Sequence, residues 1–287
     1  MAVSLKTEYW DDPQARDAFK KFMKKIFRLD FSEWESGGYW DTAYTPFSFL
    51  HGEDLVSSVC VYLLDAVIDG RHTHLAQISG VGTLPEWRGR GLSRRLTNTG
   101  LRWAQGRHDG VFLFADSEAV PFYRRCGFRP IDEYLETLPA RTVSPCRGAV
   151  KLDPGKKSDR DRIYAHAQRR APLSNRFSIL NAKLLMFHAL HGLRDHVYEI
   201  PDLNCLVFYK RHQGQLSLFD IVGEKIPRFG DLYPYLAGRN DQVIEFHFFT
   251  DKLGIVESTA SPLRGNHPFV KRPFPVERPV FPYTSRA

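Results

Sequence analysis

The stretch TLPEWRGRGLSRR, residues 83–95, decides the fold of this chain because it joins a strand to a helix. The apolar and β-branched run before it ends at Pro85, which has no N–H to donate to a strand ladder. After Gly91 an apolar face recurs at steps of three and four residues, through Leu92, Leu96, Thr99 and Trp103. Such spacing is typical of one face of a helix. The glycines therefore lie at the first turn of a helix that directly follows a strand.

This junction has the properties of an anion site. The first turn of a helix carries backbone N–H groups without a partner inside the helix, and the positive end of the helix dipole lies there. Gly89 and Gly91 have no Cβ, so a pyrophosphate can approach the backbone closely. Arg88, Arg90 and Arg94 can add charge-assisted hydrogen bonds. The junction predicts a site for the pyrophosphate of a nucleotide-type ligand.

The loop differs from two common nucleotide-binding motifs. It has no GKS or GKT, so it is not a Walker loop, and GxGxxG is absent, so it is not a Rossmann fingerprint. A Gly-x-Gly turn by itself is most often an ordinary loop. Its significance depends on what surrounds it.

The surrounding pattern predicts an α/β fold with a mainly antiparallel sheet flanked by helices. Strands are predicted at 3–9, 45–51, 54–65, 73–83, 110–116 and 128–138, and helices from Asp12 to about Arg28, after Gly91 and before Gly127. Residues 31–44 are predicted to form a short helix and a loop. The strands at 45–83 are joined by short turns, so we expect them to form a meander.

A domain boundary is predicted at residues 139–156, which hold three prolines and two glycines without an apolar period. We expect one domain at 1–138 and another at 157–287. The second half is predicted to contain helices at 158–169, 176–191 and 228–237, strands at 195–200, 203–211, 215–222 and 242–250, and an extended tail. This order echoes the first half, which suggests a degenerate duplication.

Two motifs carry a resemblance to a known family. Arg88-Gly89-Arg90-Gly91-Leu92-Ser93 resembles the R/Q-x-x-G-x-G/A coenzyme A motif of the Gcn5-related N-acetyltransferase (GNAT) superfamily. DSEAVPFYRRCGF, residues 116–128, is similar to the family's second signature, N-x-x-A-x-x-x-Y-x-x-x-G-F. The resemblance covers roughly residues 1–138. Ser93 stands where Gly or Ala is usual, and Asp116 stands where Asn is usual, which puts a hydrogen bond to the pantetheine arm in doubt.

A narrower resemblance concerns ISGVGTLP, residues 78–85, which is similar to the enhanced-intracellular-survival branch. Members of that branch carry a second, degenerate acetyltransferase-like domain, which would account for residues 157–287. The stretch VPFY, residues 120–123, is similar to arylalkylamine N-acetyltransferases. The first comparison also explains the length of the chain.

The resemblance implies an acetyl-CoA-dependent N-acetyltransferase with a GNAT fold, and it assigns residue roles. Tyr123 is implied as the general acid that protonates the departing thiolate, although it can also simply pack with Phe122 and Phe128. A backbone N–H at Val81 or Gly82 would meet the oxyanion, and Val81 and Thr83 would pair with the pantetheine amide. The implied coenzyme-binding residues are Val81, Gly82, Thr83, Arg88, Gly89, Arg90, Gly91, Leu92, Ser93 and Arg94.

The general base is not identified. Many relatives place Glu or His eleven residues before the first Arg or Gln of the motif, and that position is Gln77 here. His72 and His74 lie farther back and are expected at a hairpin edge. In the narrower branch the terminal carboxylate reaches the active site, a role open to Ala287. A chain of water molecules is the remaining option.

Residues 31–44 are the candidate acceptor pocket, since they hold several aromatic side chains and nearby carboxylates. Trp34, Tyr39 and Trp40 are the candidate substrate residues, with Tyr44 beside them; the alternative is that about half of these rings belong to the core. We expect the acceptor to be the primary amine of a small molecule. A protein lysine or N-terminal acetyltransferase, or a non-catalytic acyl-CoA-binding module, are the alternatives.

Composition excludes several other classes of function. The net charge of +7 is concentrated in six arginines between positions 88 and 107, beside the glycine loop, and no nucleic-acid-binding motif accompanies it. We expect no nucleic-acid partner, no membrane span and no signal peptide. Four widely spaced cysteines without a CxxC pair indicate reduced thiols in the cytoplasm. His188, His191 and His196 lack matching ligands, so no metal is expected. The oligomeric state is not predicted.

Overall fold

The computed structural model describes residues 2–263, 265 and 267–287, which form two mixed β-sheets flanked by α-helices. The helices within these residues are α1 (Pro13–Phe27), α2 (Ser32–Ser36), α3 (Leu92–Ala104), α4 (Val120–Arg125), α5 (Lys157–Gln168), α6 (Ala182–Leu190) and α7 (Phe229–Leu236). None of the helices described is long and apolar enough to cross a membrane. The predicted α/β class, with mainly antiparallel sheets flanked by helices, is confirmed.

The first sheet has eight strands and carries the meander predicted from the sequence. Its strands are β1 (Ser4–Thr7), β2 (Tyr44–His51), β3 (Asp54–Ile68), β4 (Arg71–Thr83), β5 (Gly110–Phe114), β6 (Arg129–Pro130), β9 (Phe177–Ile179) and β15 (Pro268–Lys271). They are ordered β1-β2-β3-β4-β5-β15-β6, and β9 pairs with β3. Only β4 and β5 pair in parallel, and α3 connects them.

The second sheet has seven strands and repeats this arrangement. Its strands are β7 (Tyr134–Pro139), β8 (Val150–Lys151), β10 (Val197–Ile200), β11 (Cys205–His212), β12 (Gln215–Val222), β13 (Val243–Phe246) and β14 (Thr259–Pro262). They are ordered β14-β7-β13-β12-β11-β10-β8. Here β12 and β13 are the parallel pair, and α7 connects them. This correspondence favours the hypothesis of a degenerate duplication.

The two halves of the chain exchange strands. β15, from the end of the chain, pairs with β5 and separates it from β6. β7, from the end of the first half, pairs with β13 in the second sheet. Each sheet is therefore completed by a strand from the other half, and β7 reaches past the predicted boundary at residue 138. The division into 1–138, 139–156 and 157–287 stays a prediction about domains.

Two predicted elements differ from the observed ones. The strand predicted at 128–138 is two strands, β6 and β7, which lie in different sheets. The helix predicted at 176–191 begins only at Ala182, because residues 177–179 form β9 and pair with the end of β3. In both cases a partner distant in sequence determined the local structure, and no local pattern reveals such a partner.

α1 shows why the sequence folds as it does beside the site. Asp12 caps the helix, because its carboxylate accepts a hydrogen bond from the backbone N–H of Ala15 at 3.0 Å, and Pro13 begins the first turn. Arg28 ends the helix in the left-handed conformation, with φ of 57°. Phe22 packs against Gly82, where an added Cβ would lie 3.2 Å from the ring. The helix therefore lies directly over the end of β4.

Candidate active site

β4 and β5 separate at the centre of the first sheet. They pair in parallel from Leu75 and Gly110 to Ile78 and Leu113. Beyond that point β4 continues to Thr83 beside β3, whereas β5 ends at Phe114. The other edge of β5 pairs with β15. Among the residues described, no further pairing joins the two strands. The backbone of residues 79–83 therefore has one edge open to a ligand.

A β-bulge lies at the start of this open edge. Ser58 pairs with Gly82 and Cys60 with Ser79, so two residues of β4, Gly80 and Val81, lie opposite one residue of β3. Gly80 has φ of +56°, which favours glycine. Bulges redirect a strand and the groups that it presents. This one lies where the resemblance implies that a backbone N–H meets the oxyanion.

The glycine loop follows at the end of the same strand. Gly89 and Gly91 have φ of +76° and +72°, and the space beside both is open, since nothing lies within 4 Å of an added Cβ. Gly91 precedes α3, so the first turn of that helix faces the loop. Arg88 donates from Nε to the carbonyl of Thr83 at 3.2 Å, and Ser93 Oγ lies 2.7 Å from Thr83 Oγ1. The small side chain of Ser93 therefore bonds back to β4.

The loop arginines are exposed. The guanidinium of Arg90 lies 4.5 Å from the centre of the Trp87 ring and donates to the carbonyl of Glu86 at 3.1 Å. Arg94 lies in the first turn of α3. The residues predicted to bind the coenzyme thus lie in two groups, one on the open edge of β4 and one in the loop and the start of α3, with residues 84–87 between them.

A cavity of about 230 Å³ adjoins the opening between β4 and β5. Its walls come from eight of the helices and strands described, from the loops beside them and from the end of the chain. The lining residues are Met23, Phe27, Leu29, Phe31, Trp34, Tyr44, Tyr62, Ile78, Ser79, Gly80, Val81, Phe114, Asp116, Ala119, Tyr123, Leu184, Phe187 and Ala287. Most of these side chains are aromatic or aliphatic. We call this space the aromatic cavity.

Tyr123 lies in the wall of the aromatic cavity, on α4. It is buried, with 5% of its surface exposed, and its ring packs 6.1 Å from Phe128 and 5.0 Å from Phe122. Burial raises the pKa of Tyr123 well above the ordinary value, and the nearby Asp116 raises it further. The phenol is therefore protonated at neutral pH and available as a proton donor. Packing and proton donation are compatible at this position.

The sequence and fold of known proteins agree with this geometry. Residues 16–131 match the family model described as an acetyltransferase (GNAT) domain. No protein of curated function matches the chain. Residues 16–131 form a GNAT acetyltransferase domain. Acetyl transfer from an acyl-CoA donor is the activity of this family, so the chain carries an N-acetyltransferase domain, and acetyl-CoA is the cosubstrate that this family uses.

Similar solved structures extend over nearly the whole chain. A probable N-acyltransferase from Enterococcus faecalis has a TM-score of 0.62 at 14% identity, over 99% of this chain and 74% of that one. A GCN5-related N-acetyltransferase from Kribbella flavida has a TM-score of 0.57 at 15% identity, over 93% and 71%. Eis1 from Mycobacterium abscessus has a TM-score of 0.55 at 18% identity, over 94% and 73%. At these identities the likeness concerns the fold.

The GNAT domain brings one of the three predicted substrate residues to the aromatic cavity. Trp34 lines it, and its Nε1 donates to the carbonyl of Lys183 at 2.7 Å. Tyr39 and Trp40 are not among the lining residues. Tyr39 packs 5.0 Å from Tyr164, and the ring of Trp40 lies beneath the guanidinium of Arg16 at 5.0 Å. Both are buried and contribute to the core around the cavity.

Sequence reasoning missed the contribution of the second half of the chain. Leu184 and Phe187 on α6 line the cavity of the GNAT domain. No local signal distinguishes them from ordinary core residues of an apolar helix. Ser79 and Tyr62 also line the cavity, and both lie on strands that the sequence predicts. Which side of the sheet each side chain occupies depends on the bulge and on the strand register, which the sequence does not reveal.

Gln77 and Ala287 stand at two of the positions that bear on the unidentified general base. Gln77 is fully buried and bonds through its amide to the backbone of Ala287, which lines the cavity. His74 lies at the hairpin edge near Asp65, 3.2 Å away, and is exposed. His188 and His191 bond to backbone carbonyls. Among the residues described, no cluster of three or more His, Cys, Asp or Glu could hold a metal ion.

Proposed function

We propose that the protein transfers the acetyl group of acetyl-CoA to the primary amine of a small molecule. The observation that carries the proposal is the opening between β4 and β5, which leads into the aromatic cavity beside Tyr123. The open backbone edge at Val81 and Thr83 would pair with the pantetheine arm. The glycine loop and the first turn of α3 would bind the pyrophosphate through backbone N–H groups.

The roles of the chain's own residues follow from this arrangement. Arg88, Arg90 and Arg94 would add charge to the phosphate site. A backbone N–H of Val81 or Gly82, in or directly after the bulge, would stabilise negative charge on the acetyl oxygen. The Tyr123 phenol would donate its proton to the departing sulfur, since its raised pKa keeps it protonated at neutral pH.

The shape of the cavity supports a small-molecule acceptor over a protein. A protein acceptor needs a groove open enough for a chain to lie in it. Here α2, α6 and the end of the chain surround the space, which holds about 230 Å³. This volume is smaller than the roughly 300–1,000 Å³ of pockets for drug-sized ligands, so it suits a small amine. The position of Tyr123 in the wall also argues against a module that only binds acyl-CoA.

A screen of amines for thiol release from acetyl-CoA tests the proposal. We expect at least one small amine to release thiol and to yield an N-acetyl product of the expected mass. Calorimetry with acetyl-CoA alone provides the separate measurement of coenzyme binding. Binding without turnover of any amine or peptide would favour the non-catalytic module, and turnover of lysine-containing peptides alone would favour a protein acetyltransferase.

A further inference from the structure

Given the acetyl transfer proposed above, the walls of the aromatic cavity define the acceptor. Trp34 contacts Tyr44 and Phe187, with ring centres 5.6 and 5.9 Å apart, and Tyr44 contacts Tyr62 at 5.3 Å. The indole N–H of Trp34 is already bonded to the carbonyl of Lys183. These rings form a continuous apolar wall that would pack against the body of an apolar amine.

Charge in the cavity is sparse. Among the described residues that line it, Asp116 is the only one with a carboxylate side chain, and none is cationic. Asp116 is exposed, so it lies where the cavity meets the solvent. One carboxylate can attract one ammonium group, but a polycation would bring further charges into an apolar space without partners. The lining therefore disfavours polyamines, and its few polar side chains would leave the hydroxyls of an amino sugar without partners.

Ser79 places a hydroxyl in the cavity wall. It lies on β4 just before the bulge, is 8% exposed and lines the cavity. Its buried Oγ makes no close hydrogen bond, and the Tyr44 hydroxyl is its polar neighbour in the wall. Buried polar groups nearly always make close hydrogen bonds, so this long contact calls for an explanation. The hydroxyl gives up little when it turns about χ1 between staggered positions. It can therefore accept a hydrogen bond from a ligand.

We infer that the acceptor is an apolar monoamine bound as its free base, with Ser79 Oγ accepting a hydrogen bond from the amine nitrogen. The nitrogen lone pair then remains free to attack the acetyl carbon. A cavity of low polarity disfavours an ammonium ion and lowers the pKa of an amine that enters it. Gln77, at the position where relatives carry a base, cannot remove a proton.

The other titratable groups around Ser79 agree with this assignment. Burial raises the pKa of Tyr44 and Tyr62, on β2 and β3, and of Tyr123 on α4. Burial also raises the pKa of the Cys60 thiol, on β3, to about 12. All four are neutral at physiological pH. The lining residues of α1, α2 and α6 carry no titratable side chain. Among the described residues that line the cavity, Asp116 is the remaining one with a carboxylate side chain.

The reaction balances without an external base when the amine enters neutral. The amine nitrogen forms a bond to the acetyl carbon, and the carbon–sulfur bond breaks. The nitrogen loses one proton and the sulfur gains one. Tyr123 supplies the proton to sulfur and regains one from nitrogen, directly or through Ser79. No net proton is released.

The pH dependence of kcat/KM tests the inference with two amines of nearly equal shape, 2-phenylethylamine and its β,β-difluoro analogue. Fluorine lowers the basicity of the amine. For each amine we expect kcat/KM to rise with pH and to level off at the pKa of that amine in solution. The two inflections should therefore be separated by the difference between the two amine pKa values. Inflections at one common pH would show that an enzyme group such as Asp116 or the Ala287 carboxylate acts as the base, and would overturn the inference.

The variant Ser79→Ala tests the positioning role. We expect kcat/KM for 2-phenylethylamine to fall about two- to tenfold, the value of one neutral hydrogen bond, with acetyl-CoA affinity unchanged. Stability should change little, because the lost hydroxyl makes only a long contact with the Tyr44 hydroxyl. Ser58→Ala is the matched control: Ser58 Oγ accepts from Ser48 Oγ at 3.2 Å, so its loss should lower stability and leave the preference among amines unchanged. Full activity of Ser79→Ala would overturn the role of Ser79.

The preference among amines separates this inference from the proposed function. We expect kcat/KM for 2-phenylethylamine, per free base, to exceed that for spermidine or glucosamine by at least about tenfold. A higher value for spermidine or glucosamine would overturn the acceptor class while leaving acetyl transfer established. No turnover of any amine would overturn the proposed function, and the inference with it.

Discussion

Gln77 and Ala287 are joined by a pair of hydrogen bonds across 210 positions of sequence. Gln77 Nε2 donates to the carbonyl oxygen of Ala287 at 3.0 Å, and the N–H of Ala287 donates to Gln77 Oε1 at 3.0 Å. An amide side chain donates through its NH2 and accepts through its oxygen, so it satisfies a backbone acceptor and a backbone donor together without charge. The position that carries a base in many relatives is here a clamp for the end of the chain.

Replacing Gln77 by Leu should release the end of the chain. The N–H and carbonyl of Ala287 would lose these partners, at a cost of about 1–3 kcal/mol for each buried group left unpaired. We expect faster hydrogen exchange at residues 281–287, and a higher KM for the acceptor because Ala287 lines the cavity. Acetyl-CoA affinity, measured by calorimetry, should change little. Unchanged exchange in this segment would contradict the clamp.

Replacing Tyr123 by Phe should lower turnover at least about tenfold while acetyl-CoA affinity stays nearly constant, because the phenol acts in proton transfer and not in coenzyme binding. The matched control is Tyr233→Phe, which removes a buried hydroxyl that bonds to the carbonyl of Arg141 at 3.1 Å. Because the pKa of Tyr123 is raised, wild-type kcat should show no alkaline decline below about pH 10 from this group. Unchanged turnover of Tyr123→Phe would show that Tyr123 is not the general acid.

The double variant Arg88→Ala with Arg90→Ala should weaken acetyl-CoA binding, by about 1.5–3 kcal/mol for each charge-assisted bond that is lost. The effect should diminish at high salt, because both side chains are exposed. Turnover at saturating coenzyme should be retained. Arg102→Ala is the control, since Arg102 lies in the last turn of α3, away from the glycine loop. Equal affinities of the double variant and the wild type for acetyl-CoA would show that its phosphates do not bind to Arg88 and Arg90.

Sequence could predict the strand, the glycine loop and the helix at the expected coenzyme side because their signals are local. The glycines of the loop, the helical face after Gly91 and the meander before Pro85 each depend on a few neighbouring residues. The acceptor side depends on long-range packing. Nothing near residues 177–187 shows that β9 joins the first sheet or that Phe187 reaches the cavity. Likewise, Trp34 and Trp40 are equally aromatic in sequence, and only tertiary packing distinguishes them.

Asp220 connects the second sheet to the end of the chain. It is fully buried on β12 and accepts two hydrogen bonds from Arg170, at 2.7 and 3.0 Å, and one from Thr284. Asp220→Leu should lower the free energy of unfolding by about 3–5 kcal/mol, because it leaves the Arg170 guanidinium buried without its counter-charge. Chemical denaturation measures this loss.

The control for Asp220 is an exposed ion pair. Asp161→Ala removes the contact with Lys157, one helical turn away and 2.6 Å distant, which should cost only about 0.3–0.5 kcal/mol. A similar small cost for Asp220→Leu would show that the buried network does not hold the end of the chain.

His188 should make the stability of the fold depend on pH. Burial lowers the pKa of this imidazole to about 4, with Arg286 and His191 nearby, and its Nε2 lies 2.7 Å from the carbonyl oxygen of Arg286. In the unfolded chain the pKa is about 6.5, so between pH 6.5 and 4 the unfolded state binds more protons. Stability is therefore complete above pH 6.5 and falls on acidification, by up to about 3 kcal/mol.

The variant His188→Gln isolates this effect, since an amide can still donate to the Arg286 carbonyl but does not titrate. We expect the difference in unfolding free energy between wild type and variant to shrink or reverse as the pH falls from 6.5 to 4, because only the wild type loses stability through this group. Acidic groups titrate equally in both proteins and cancel in the difference. Parallel curves across this range would mean that His188 is protonated as readily in the folded protein as in the unfolded one.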